Sequence, residues 1–181
     1  MRATLMRLFC LLLALGLSAC ASKPPARERL GLSLAPAAVG AAFSVQQHLT
    51  VERNGRTDEL DAALEVDGEH LELVGLAFGQ RVLTIDYDGQ NLKSWRHLML
   101  PRQVQAEDVL EDLQLTLWPA DAIARALPAG WRLEEVGRHR SLFQDQVEIA
   151  RIDYGDTLRW GGTVVLENLR YKYRLTIQSA E

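Results

Sequence analysis

Four tight-turn signals within residues 54–89 limit what this chain can become. Asn54-Gly55, Asp67-Gly68, Gly79-Gln80 and Asp88-Gly89 follow one another at short intervals. Asn-Gly is the strongest of them, because a type I′ hairpin turn needs positive φ at both central residues. Between the turns the apolar residues repeat every second position. Phe43, Val45, Leu49 and Val51 alternate with Ser44, Gln46, His48 and Thr50, and Leu60, Ala62, Leu64 and Val66 follow in the same rhythm. Residues 71–78, 82–87 and 92–98 read as three more strands. Strands joined this tightly leave no room for crossover helices, so they pair as an antiparallel meander.

A second set of strand patterns lies downstream, at residues 131–136, 138–143, 147–154, 158–166 and 171–177. The fold class this predicts is mainly β: a curled antiparallel sheet or open half-barrel of about ten strands, since twisted sheets of that width curl or close. A helical pattern separates the two meanders. In residues 106–119, Ala106, Val109, Leu110, Leu113 and Leu117 fall on one stripe at about 100° per residue, while Leu115 and Trp118 point away from it. Glu107 and Asp108 suit the positive end of the helix dipole, and Pro119 forces a stop or bend. A shorter helix carrying Ala120, Ile123, Ala124 and Leu127 follows and ends at Pro128 and Gly130. The helical insertion, about 104–128, is expected to lid the concave face. Val109, Leu110, Leu113, Leu117 and Trp118 are the candidates for lining the cavity or the lid.

The start of the chain has a different character. Arg2 and Arg7 precede an apolar run at residues 8–17, too short for a permanent membrane span. Leu17-Ser18-Ala19-Cys20 follows and resembles the bacterial lipobox. That resemblance implies a cleaved signal peptide at 1–19 and a covalent diacylglycerol and N-acyl chain on Cys20. With Ala21 rather than Asp after the cysteine, it also implies lipid anchoring at the periplasmic face of the outer membrane. Residues 20–42, punctuated by Pro24, Pro25 and Pro36, read as a tether, with Leu30, Leu32 and Leu34 alternating as a short edge strand. Residues 43–181 read as a single β domain. The two leader arginines, taken from 20 basic residues, leave 18 against 24 acidic ones, a formal charge of −6. That balance argues against nucleic acid and against a polybasic grip on anionic lipid. With Cys10 in the leader and Cys20 lipidated, no disulfide is expected.

Asp112-Leu113-Gln114-Leu115 with Leu117-Trp118-Pro119 is similar to a signature of uncharacterised bacterial lipoproteins that carry a domain of unknown function. These are often encoded among aryl-polyene or fatty-acid-like ketosynthase genes. Val74-Gly75-Leu76, Gly79-Gln80-Arg81 and the stretch from Asn168 to Leu175 are similar too. The order of lipobox, strands, helical insertion and strands also resembles the lipoprotein-localisation factors LolA and LolB. That likeness implies an open barrel with an apolar, helix-lidded cavity for acyl chains. It also implies a membrane-directed loop, for which Leu76 and Phe78 are the nearest candidates.

Signals for chemistry are sparse. His48, His70, His97 and His139 form no close ligand pair, so no metal site is expected. Ser44, Ser94 and Ser141 lie in strand sequence without an adjacent base or a Gly-x-Ser-x-Gly elbow. Asp86-Tyr87-Asp88-Gly89 lacks the spaced oxygens of a calcium loop and reads as a turn. Glu107, Asp108, Glu111 and Asp112 read as the wet face of the helix. The expectation is therefore a non-enzymatic carrier or acceptor of an acyl or polyene lipid, without cofactor. The rival is a structural adaptor that docks on an envelope biosynthesis or transport complex, and an acyl-group hydrolase ranks third.

Overall fold

The computed structural model describes residues 30–180; the expected signal peptide at 1–19 and Cys20 lie outside the described residues. Ten strands form one antiparallel sheet. They are β1 (Phe43–Arg53), β2 (Arg56–Val66), β3 (Leu71–Ala77), β4 (Gln80–Tyr87), β5 (Leu92–Arg96), β6 (Trp131–Val136), β7 (His139–Gln144), β8 (Val147–Tyr154), β9 (Thr163–Asn168) and β10 (Tyr173–Ser179). Their spatial order is β5-β4-β3-β2-β1-β10-β9-β8-β7-β6. The two meanders therefore join edge to edge where β1 pairs with β10, Leu49 opposite Ile177. β5 and β6 stay apart as free edges, so the sheet is open and not closed into a barrel. Two helices, α1 (Ala106–Leu117) and α2 (Ala120–Ala126), carry the chain from one free edge to the other.

Local chemistry sets the turns. Asn54 and Gly55 take φ of 53° and 73°, as the Asn-Gly signal requires. In the third turn the positive φ values fall on Phe78 (52°) and Gly79 (72°), one residue earlier than Gly79-Gln80 suggests. The two Asp-Gly turns are built by the aspartates: Asp67 Oδ1 accepts the backbone N–H groups of Glu69 and His70 at 2.7 and 2.6 Å, and Asp88 Oδ1 accepts those of Gln90 and Asn91. The expected strand at 158–166 begins only at Thr163. Asp156 gathers the preceding residues into a loop by accepting the N–H groups of Thr157 and Leu158. That loop lays Trp160 flat on Phe43, ring centroids 4.4 Å apart.

Alternation decides what is buried. Ala62, Leu64 and Val66 of β2 are buried while Asp61, Ala63 and Glu65 between them are exposed. Leu71, Ile85, Val164 and Leu166 continue the same apolar face, each at most 1 % exposed. Leu110, Leu117, Trp118 and Ile123 of the helical insertion join this core. Leu30, Leu32 and Leu34 form no strand. They are buried in the same core, so from Leu30 onward the stretch read as a tether is packed into the fold. The reason is Gln114, itself fully buried. Its amide donates to the Leu34 carbonyl at 3.1 Å and accepts the Leu34 N–H at 3.4 Å. A side chain thus offers the strap the pairing that a neighbouring strand would give.

Candidate functional site

The site is the contact between α1 and the sheet. Among the sequence candidates, Leu110 and Leu117 are buried in the core, and Val109 and Leu113 are half-buried against it. Trp118 is fully buried, and its Nε1–H donates to the Ala35 carbonyl at 3.0 Å. The indole, a candidate for lining the cavity or the lid, is the clamp between helix and strap. This accounts for the apolar residues off the stripe: Leu115 and Trp118 are buried too, because the helix is covered on more than one side. Leu76 is half-buried, and Phe78 stands 93 % exposed at the β3–β4 tip.

Polar groups missed in the sequence fix the helix. Asp112, read as part of the wet face, accepts a hydrogen bond from the Tyr173 hydroxyl of β10 at 2.5 Å. Burial pushes the Asp112 carboxyl up to about 7; the tyrosine's hydrogen bond works against that rise, and Glu111 and Asp108 add to it. Burial and the neighbouring Asp112 likewise push the Tyr173 hydroxyl above its ordinary range. Asn168 reaches the same hydroxyl at 3.3 Å. A signal existed: on the helical wheel Asp112 shares its flank with Val109 and Thr116, and Thr116 is 2 % exposed.

The C-terminal end of α1 is held by β7 and β8. Arg140, 1 % exposed, donates from Nη1 to the Leu115 carbonyl and from Nε to Glu135 at 2.7 Å. Arg159 donates to the same carboxylate at 2.9 Å. A cation beside the last carbonyls of a helix also suits the helix dipole. Burial works against the Glu135 charge, but the two arginines hold its carboxyl below the usual range. Tyr154 donates to the Thr116 carbonyl at 2.7 Å, and burial pushes its hydroxyl up to about 12. The buried polar anchors of α1 thus gather in its second half.

A cleft of about 600 Å³ opens beside the Asp112–Tyr173 contact, between the β1–β2 and β9–β10 turns. Arg53, Arg56, Lys172 and Tyr173 are among its lining residues. It can take a polar or anionic group at its mouth. Tyr173, which lines it, packs against the apolar core.

One further cluster has the distances of a catalytic triad. His139 Nδ1 lies 2.7 Å from Asp153 and its Nε2 3.0 Å from the Ser141 hydroxyl. Ser141 was expected to lack a base, but the base stands two residues away on the same strand face. Glu148 also lies within hydrogen-bond reach of the same hydroxyl, at 2.9 Å, and competes with the imidazole for the serine's single proton. A nucleophile must surrender its proton to the base, and here a carboxylate stands beside it as a second acceptor. Among the described residues no group of three or more His, Cys, Asp or Glu is placed to hold a metal ion.

The comparisons with known proteins agree with a family reading. The chain belongs to the DUF3261 family, described as proteins of unknown function, whose profile matches residues 44–181. No curated protein matches it. Among solved structures it is similar to a LolA superfamily protein from Nitrosomonas europaea, at 12% identity over 77% of this chain and 84% of that one, with a TM-score of 0.42.

Proposed function

We propose that this member of the DUF3261 family is a lipid-anchored, non-enzymatic carrier or acceptor of an acyl or polyene lipid at the periplasmic face of an outer membrane. The observation that supports it is the position of α1: an amphipathic helix laid on the concave face of a sheet whose two edges never meet. With its buried polar anchors in the second half, the first half, residues 106–110, is the part that would lift. Lifting it uncovers an apolar trough behind the basic cleft. An acyl chain entering there replaces contacts made by Leu110 and its neighbours, each leucine burial being worth about 1.5–3 kcal/mol. The headgroup stays among Arg53, Arg56 and Lys172. The anchor is Cys20, which carries the covalent diacylglycerol and N-acyl chain.

Native mass spectrometry of the full chain, purified from its own envelope, tests this. The expected spectrum shows a mature chain starting at an acylated Cys20, with one further noncovalent lipid or polyene per chain that solvent extraction recovers. A chain whose mass carries the covalent acyl groups alone would reject the carrier. The adaptor reading would then stand. It is favoured by the closed packing around Trp118 and Gln114, both with no exposed surface.

A further inference from the structure

The charges of this acidic protein are sorted by end. Register places several turns at one end of the sheet. Arg53 pairs with both Arg56 and Tyr173, Tyr173 pairs with Asn168, and Ala77 pairs with Gln80. The His97 N–H donates to the Val82 carbonyl, which brings the loop after β5 to the same end. Those tips carry Arg53, Arg56, Arg102, Arg170 and Lys172 against the acid Asp145; one residue further in stand Arg81, Arg132 and Arg174 with the acids Glu52, Glu148 and Glu167. The opposite end carries Asp67, Glu69, Asp88 and Asp156 against Arg138 and Arg159. Arg53, Arg56, Arg102 and Lys172 form no ion pair among the described residues.

The basic end is also the apolar one. Phe78 is 93 % exposed, Leu98 98 % and Met99 55 %. Two local costs are kept there. Phe78 holds φ at 52°, a region that bulky residues avoid, and Arg53 stands directly opposite Arg56, a like-charge pair that weakens a sheet. Neither helps the fold, and such costs gather where function needs them. The strap runs along α1 toward the opposite end: Gly31 meets Glu111, Ser33 meets Tyr87 and Ala35 meets Trp118.

We infer that this end is a docking face for an anionic phospholipid surface: the arginines and Lys172 contact headgroup phosphates while Phe78, Leu98 and Met99 enter the interface. The inference does not depend on the carrier reading, since an adaptor could dock in the same way. The mean charge of the chain, which argues against such a grip, does not register segregation.

The test uses the chain from residue 20 onward, without the apolar leader, carrying Cys20→Ser and Gln80→Cys, so that an environment-sensitive fluorophore on residue 80 reports on this end without an acyl anchor. Against vesicles containing phosphatidylglycerol, the label should shift to the blue. Binding should be at least about tenfold tighter than to phosphatidylcholine alone, since each basic residue near an anionic surface adds about 1 kcal/mol, and high salt should weaken it. Reversing Arg53, Arg56, Arg102 and Lys172 to Glu should bring binding down to the neutral-vesicle level. Phe78→Gly, which suits the backbone there, should keep the fold and lose the shift. Equal response to neutral and anionic vesicles overturns the inference. So does a label that responds to neither, or one that moves only with lipid-free envelope proteins, which would assign this end to a protein partner.

Discussion

Replacing Asp112 with Asn is expected to stabilise the protein at pH 8 by about 2–4 kcal/mol and to change it by less than about 1 kcal/mol at pH 4. The carboxyl titrates near 7 in the folded chain and near 3.9 when unfolded. Between those values the folded state holds a proton that the unfolded state has lost. Stability from this group is therefore full below about pH 4, falls as pH rises through about 7, and is level above that. Asparagine copies the protonated form and can still accept the hydrogen bond from Tyr173, so it removes the loss. Denaturant melts of both proteins across this range check it. A gain of equal size at both pH values would mean that Asp112 titrates as an ordinary surface acid.

Glu135→Ala is expected to cost roughly 3 kcal/mol, because it strands the Arg140 guanidinium without its counterion inside the protein. Arg140 is 1 % exposed and cannot turn to water. The double variant Glu135→Ala with Arg140→Met should recover most of that loss, since an apolar side chain in such a place is often tolerated better than an unpaired charge. Equilibrium unfolding of the single and double variants checks both statements; a double variant no better than the single would show that Arg140 matters mainly through the Leu115 carbonyl. Glu135 also acts on pH in the opposite sense to Asp112. Its folded pKa is lowered, so its contribution is present above its ordinary pKa and lost as acid protonates it. Together the two groups place maximum stability at about pH 4, where the rise from Glu135 ends and the fall from Asp112 begins.

The sheet was legible because each of its signals is local. Asn54-Gly55 can be read without knowing anything else, and alternation in β2 marks the face that turns inward. The open meander with an inserted helix pair follows from such pieces in order. The Phe78 turn escaped by one residue, because nothing in a sequence recommends an aromatic residue for positive φ. The site was less legible because its groups meet only through the fold. Asp112 and Tyr173 are 61 residues apart, and Gln114 and Leu34 are 80 apart. A helix that looks one-sided in sequence is covered by the sheet and by the strap, so its acids and its stray tryptophan change meaning. Arg140 resembles an ordinary alternating polar residue until the carbonyl of Leu115 arrives beside it. The triad-like cluster was missed for the opposite reason. Its members are close in sequence, but only β7–β8 pairing, His139 opposite Asp153, aligns them.

In the proposed carrier, the first half of α1 is a lid that opens while the sheet stays folded. Hydrogen exchange of the full chain, read peptide by peptide, tests it most directly. Residues 106–110 should exchange through local opening, faster than β9 and β10 and faster than unfolding of the whole domain allows. An acyl lipid that binds beneath the lid should slow that exchange, and at a hundredfold excess over its Kd it should stabilise the fold by about 2.7 kcal/mol. If residues 106–110 exchange only with the global unfolding that also releases β9 and β10, and lipid changes nothing, the helix is part of a solid core and the lid does not exist.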